Sequence, residues 1–161
     1  MLHSPLPVHE AESTTPSAPV DNARLAGEIA AMYDEAVHPA ALLGEFRRTA
    51  VLVPLDEAGG LWSVEMHGIR WICGFTDVAA LARFAVARGI AEDEEWEYRS
   101  VLGARLLDVV VPAVGAPAGV ALDIADERPV MFPPVRGIVP DDVALDAPKN
   151  RFAMEMEAAA P

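Results

Sequence analysis

The chain has 161 residues, 29 of them alanine, and carries 25 acidic against 12 basic side chains, for a formal net charge of −13. That length holds about one ordinary domain and excludes separate cofactor and substrate lobes. A surface this acidic repels phosphates and anionic headgroups, which argues against nucleic acid and membrane surfaces as partners.

Residues 1–20 hold four prolines and no aromatic side chain, and read as a disordered tail. The first five residues lack the basic and apolar regions of a secretory leader. Order is expected over 21–146, as one domain. Asp21 or Asn22 caps a helix whose stripe is Leu25, Ile29, Met32 and Ala36. Pro39 ends it and opens a second, short helix with Leu42, Leu43 and Phe46 inward. The period then changes to two. Strands are expected over 49–55, 61–67 and 69–75, joined by the turns at Gly59-Gly60 and Gly68 into an antiparallel meander. Trp71, Cys73 and Phe75 share one face of the third strand.

Thr76 is the expected N-cap of the next helix, with Asp77 at its positive end and Val78, Leu81, Phe84 and Ala85 facing inward. Gly89 stops it. Residues 92–97 carry five acids around Trp96 and read as a solvated loop with one aromatic anchor. A strand over 98–102 follows, then a helix from Gly103 that Pro112 ends. Strands are expected over 119–123 and 129–132, and a proline-rich extended segment on the surface over 133–140. Residues 147–161 read as a C-terminal tail or short helix, and no internal repeat is visible. The whole predicts an α+β domain: a mostly antiparallel sheet of five or six strands flanked by three or four helices. The longest apolar stretch, 109–122, is interrupted by Pro112, Gly115, Pro117 and Gly119 and cannot span a bilayer.

Three runs carry a family resemblance. Trp71-Ile72-Cys73-Gly74-Phe75-Thr76-Asp77 leads into Ala79-Ala80-Leu81-Ala82-Arg83-Phe84; a helix opens at Gly103; and Gly119-Val120-Ala121-Leu122-Asp123 follows. Over about residues 48–134 the chain resembles the N-terminal domain of the SseB family. It is especially similar to the single-domain versions of high-GC bacteria, which residues 106–112 and 133–140 also match. The resemblance implies an SseB-like fold and an accessory or binding role, and brings no catalytic residue with it. Asp123 stands where many relatives have Asn.

The chemistry-bearing residues give little to a catalyst. Cys73 is the only cysteine, so neither an intramolecular disulfide nor a thiolate metal cluster can form, and a reducing cytoplasm suits the chain. Its aromatic neighbours mark it as a core thiol, since an apolar setting raises the thiol pKa. His38 and His67 have no His or Cys partner at metal spacing. No Gly-x-Ser-x-Gly elbow exists, no lysine follows Gly59-Gly60, and the acids at 92–95 lack the glycine and alternation of a calcium loop. No catalytic residue, cofactor or metal ligand is assigned.

Two features suit protein contact. Ala82 and Val86 form a mild apolar strip opposite the inward face of the Asp77 helix, and Glu94, Glu95 and Trp96 combine carboxylates with an aromatic anchor. The expected function is a non-enzymatic, cytoplasmic accessory module that binds a partner protein, basic in character, or a second copy of itself. The alternative is an immunity protein neutralising a basic toxin. A thiol-dependent enzyme at Cys73 ranks third.

Overall fold

The computed structural model describes residues 8–10, 22–34, 38–90 and 94–147. The expected tails therefore lie outside the described residues, apart from Ala147 and a short strand, β1 (Val8–Glu10).

The helical stripes fall mostly as the spacing predicts; Val78 turns outward instead, and Ala36 lies outside the described residues. In α1 (Ala23–Tyr33), Leu25 and Ile29 are buried. In α2 (Pro39–Arg48), Pro39 occupies the first turn, where its missing N–H costs nothing, and Leu42 and Phe46 point inward. Arg47 and Arg48 sit in the last turn, where positive charge suits the helix dipole. The helix α3 (Val78–Ala87) buries Ala80, Leu81, Phe84 and Ala85. Its N-cap is Asp77, not Thr76: the Asp77 carboxylate accepts from the Ala80 N–H at 2.7 Å.

The strands pair differently from a meander. β2 (Ala50–Pro54) lies antiparallel to β5 (Trp96–Leu102), with Val51 opposite Val101 and Val53 opposite Arg99. β3 (Ser63–Met66) and β4 (Ile69–Gly74) do form the expected hairpin. His67 and Gly68 turn it with φ of 55° and 77°, the pair of positive values a tight hairpin turn demands. β2 and β4 form no ladder: a single bridge joins the middle of β2 to the residue after β4, where Leu52 and Phe75 exchange N–H···O bonds of 2.8 Å. β4 then runs parallel to β6 (Ala118–Leu122), and β6 antiparallel to β7 (Val130–Phe132). The orders are β1-β5-β2 and β3-β4-β6-β7, with three of the five ladders antiparallel. The chain is thus α+β, its antiparallel pairing in the majority. The meander fails at its first turn: across residues 56–60 the chain pairs only through the single bridge Leu55–Leu61, and β2 takes β5 as its ladder partner instead of β3.

Pro112 does not end the fourth helix. The helix α4 covers 103–113 as Gly103–Arg105, a wide turn at Leu106–Val110 and Val111–Ala113. In the wide turn the Val111 N–H reaches back five residues to the Leu106 carbonyl, and this one-residue slip takes in the proline without a break. Gly103 opens the helix against α2: a Cβ there would stand 2.1 Å from the Phe46 carbonyl oxygen. Residues 133–140 are not an extended surface strip either. Val139 is buried, and the N–H groups of Ile138 and Val139 both turn back to the Val135 carbonyl.

Two apolar cores result. The larger gathers Leu25, Ile29, Leu42, Phe46, Val51, Val53, Ile72, Leu106, Leu107, Val120 and Leu122 with Phe132, which stacks on Phe46 at 4.2 Å. The smaller lies under α3 and holds Leu52, Cys73, Phe75, Leu81, Phe84, Trp96 and Tyr98. No helix among the described residues is long and apolar enough to cross a membrane.

Candidate functional site

Alternation in β4 turns Trp71, Cys73 and Phe75 to the side on which α3 packs. There Phe75 lies 5.0 Å from Phe84, and Phe84 stacks on Trp96 at 5.6 Å. Trp62 meets Trp96 edge-on at 5.1 Å and carries the Arg88 guanidinium over its outer face at 5.3 Å. Cys73 lies within this cluster with no exposed surface. Burial pushes its thiol up to about 12, against a downward pull from Arg88 and a backbone hydrogen bond at Val64. The thiolate is therefore scarce at neutral pH, which is the wrong state for a nucleophile.

Trp96 belongs to this interior. It is the first residue of β5, and its indole N–H donates to the Leu55 carbonyl at 2.8 Å. The expected solvated loop with an aromatic anchor is corrected here: the Leu55 N–H donates to the Glu97 carbonyl at 2.8 Å, so strand pairing begins before residue 98. Once it does, period two puts Trp96 on the same buried side as Tyr98. Glu94 and Glu95 lie just before the strand and are exposed; residues 91–93 are outside the described residues.

The other two expected contact residues stand on the opposite side of α3. Val86 is 63% exposed, Val78 is 45% exposed, and Ala82 lies half-buried between them. The four-residue steps from 78 to 86 place the three on one helical stripe. Val78 was expected to face inward, and the structure turns it out to join this stripe. The sequence signal was its spacing of four from Ala82. Beside the stripe, Arg83 grips Asp126 with two bonds, Nε to Oδ1 at 2.7 Å and Nη2 to Oδ2 at 2.8 Å. Ala82 and Val86 thus share a surface with each other but not with Trp96, which lies beneath the same helix.

At the start of α3 sits a buried carboxylate that the sequence did not single out as a structural node. Asp123 follows β6 with φ of 52° and is 6% exposed. Its carboxylate accepts the Thr76 N–H and the Thr76 hydroxyl, each at 2.9 Å, and its own N–H donates to the Gly74 carbonyl at 3.0 Å. The Asn22 amide donates to the Thr76 carbonyl at 2.7 Å. Burial raises the Asp123 pKa above the ordinary carboxyl value; the two Thr76 bonds oppose this, and the nearby charges of Asp126 and Asp77 add to it. Both oxygens are committed to Thr76, so the carboxylate acts as a fastener between β6 and the turn into α3. His38 and His67 are exposed. No group of three or more metal-ligating side chains converges among the described residues.

No family model, no curated protein and no solved structure matches the chain.

Proposed function

We propose that the chain is a non-enzymatic accessory module of SseB character that acts in the cytoplasm by binding a partner protein. The observation that carries this reading is the stripe Val78–Ala82–Val86. It is an apolar strip left in water on a helix whose other side is fully packed, and fixed at its side by the Arg83–Asp126 pair. Apolar contact supplies affinity, and the net charge of −13 selects a basic surface around it and speeds encounter. The buried, largely protonated Cys73 weighs against thiol chemistry.

The test is the double variant Val78→Ser/Val86→Ser, made in full-length tagged chain. A partner recovered reproducibly with the wild type is expected to be lost with the variant at unchanged melting temperature. Recovery of the same proteins by both forms sinks the stripe as the contact. The excess of carboxylates also favours an immunity role against a basic toxin. Rescue of growth on co-expression with a neighbouring toxic gene product, lost on raising salt in the purified complex, would mark that second reading. Full biological activity in Cys73→Ala is expected under both and removes the thiol enzyme.

A further inference from the structure

The sheet β3-β4-β6-β7 ends differently at its two sides. At β7 the edge is closed. That strand has three residues, Pro129 precedes it, Pro133 and Pro134 follow it, and the Tyr33 hydroxyl donates to the Pro129 carbonyl at 2.7 Å. Short edge strands and prolines are how sheets keep other strands away. The chain around β3 carries neither lysine nor proline from Leu61 to His67. Among the described residues nothing pairs with the outer edge of β3.

The hydrogen bonds fix which groups that edge offers. The Cys73 N–H donates to the Trp62 carbonyl at 3.1 Å and the Arg70 N–H to the Pro117 carbonyl at 2.9 Å, so the odd residues of β4 face β3. Val64 stands opposite Trp71 and Met66 opposite Ile69. Val64 and Met66 therefore commit their backbone groups to β4, while Ser63 and Glu65 turn theirs outward. The side chains alternate as well. Trp62 and Val64 pack towards the core under α3, and Met66 follows them on that face, 44% exposed. Ser63 and Glu65 lie on the opposite face, where Arg70 comes within 4.0 Å of Glu65.

We infer that β3 pairs with β3 of a second copy of this chain, antiparallel and centred on Val64, so that the two sheets become one. The contact goes beyond the partner-binding role proposed above and uses a different surface.

Three observations select a second copy as the occupant. The first is register. The outward groups lie on either side of Val64, so a two-fold axis through that residue sets Ser63 against Glu65 of the second copy, and the reverse, with about four N–H···O bonds. A hydroxyl then faces a carboxylate at both ends. The register centred on Glu65 opposes two like charges and is disfavoured. The second is the apolar face. The same axis sets the exposed Met66 against Trp62 of the second copy, twice, a thioether beside an indole, with the two Val64 side chains between them. The third is charge. A net charge of −13 drives copies apart, yet Arg88 lies over Trp62 on one face of β3 and Arg70 beside Glu65 on the other, against the one acid of the strand.

Sedimentation velocity on the full-length chain, from about 1 to 500 μM, is expected to show a reversible monomer–dimer equilibrium. Glu65→Pro removes an outward N–H that the hairpin does not use. It is expected to weaken the dimer about tenfold or more, with the far-UV circular dichroism unchanged. Ser63→Glu, which opposes carboxylates at both ends, should weaken it about fivefold, and Ser63→Arg should tighten it by a similar factor. In Val64→Cys the two thiols meet across the axis, and mild oxidation is expected to give a covalent dimer. Ser63→Cys, on the other face and off the axis, is the control; the native Cys73 has no exposed surface and takes no part. A single monomeric species over the whole range overturns the inference. So does a dimer that both Glu65→Pro and Ser63→Glu leave unchanged, or cross-linking no faster in Val64→Cys than in Ser63→Cys. A dimer dissolved by Val78→Ser/Val86→Ser and untouched by Glu65→Pro would put the contact on α3 and overturn it too. Loss of a captured partner in Val78→Ser/Val86→Ser, with the Val64→Cys cross-link intact, supports both the stripe and the β3 contact as separate surfaces.

Discussion

The two cores of this molecule are built from different materials. The one beneath α1, α2 and α4 is mainly aliphatic, roofed by three helices, and contains Phe46, Leu106 and Leu107 with no exposed surface. The one beneath α3 is aromatic, roofed by a single helix, and is closed at its margin by Trp62 with Arg88 lying over it. Aliphatic side chains under several helices interdigitate closely, and such a core is costly to open. Rings stacked under one helix make a firm but shallow platform, with fewer layers of side chains between the helix and the sheet.

That contrast can be broken by experiment. The largest effect is expected from Phe46→Ala, which removes a fully buried ring stacked on Phe132 and should cost about 3–5 kcal/mol in urea unfolding. Phe84→Ala, the matching truncation under α3, should fall at about 3 kcal/mol, because the thinner layer can settle into the gap. Equal losses at the two sites would show that the α3 side is as integral as the other. Next comes Asp123→Ala, which strands the Thr76 N–H and hydroxyl; about 1–3 kcal/mol is expected, read as a fall in melting temperature.

The pH dependence of the same carboxyl sharpens the comparison. A folded pKa raised by burial means that the native state holds the proton more tightly than the unfolded chain does. The stabilisation from this group is therefore full below the ordinary carboxyl pKa and is lost as pH rises through the raised value. Asp123→Asn does not titrate, so the wild-type melting temperature, taken relative to this variant, should decline over that window and then level off. A difference that grows with pH would contradict the burial argument. The smallest effect is expected at the stripe, where Val86→Ser should change stability by less than about 0.5 kcal/mol.

The helices could be read from the sequence because their signals are local. Leu25 and Ile29, Leu42 and Phe46, and Leu81 and Phe84 fall on period 3.6, and each pair is buried. The hairpin at His67-Gly68 was likewise visible in its turn chemistry. What could not be read was partner choice between strands. Nothing within β2 states that it will pair with β5, over forty residues away, since period two marks a face and not a neighbour. Trp96 meets the same limit: five carboxylates around one indole look like a wet loop until the strand beginning there turns the ring inward. Pro112 breaks a helix with regular bonding, and the wide turn at Leu106–Val110 departs from that bonding just ahead of it.

The turn at Thr76 ties four pieces of chain together: the start of α1 through Asn22, the end of β4, the entry to α3, and β6 through Asp123. The entry of α3 is consequently anchored on two sides at once, to Asn22 ahead of α1 by one hydrogen bond and to the end of β6 by two. Removing either anchor therefore loosens the same turn, so the seat of α3 depends on residues a hundred positions apart in the sequence.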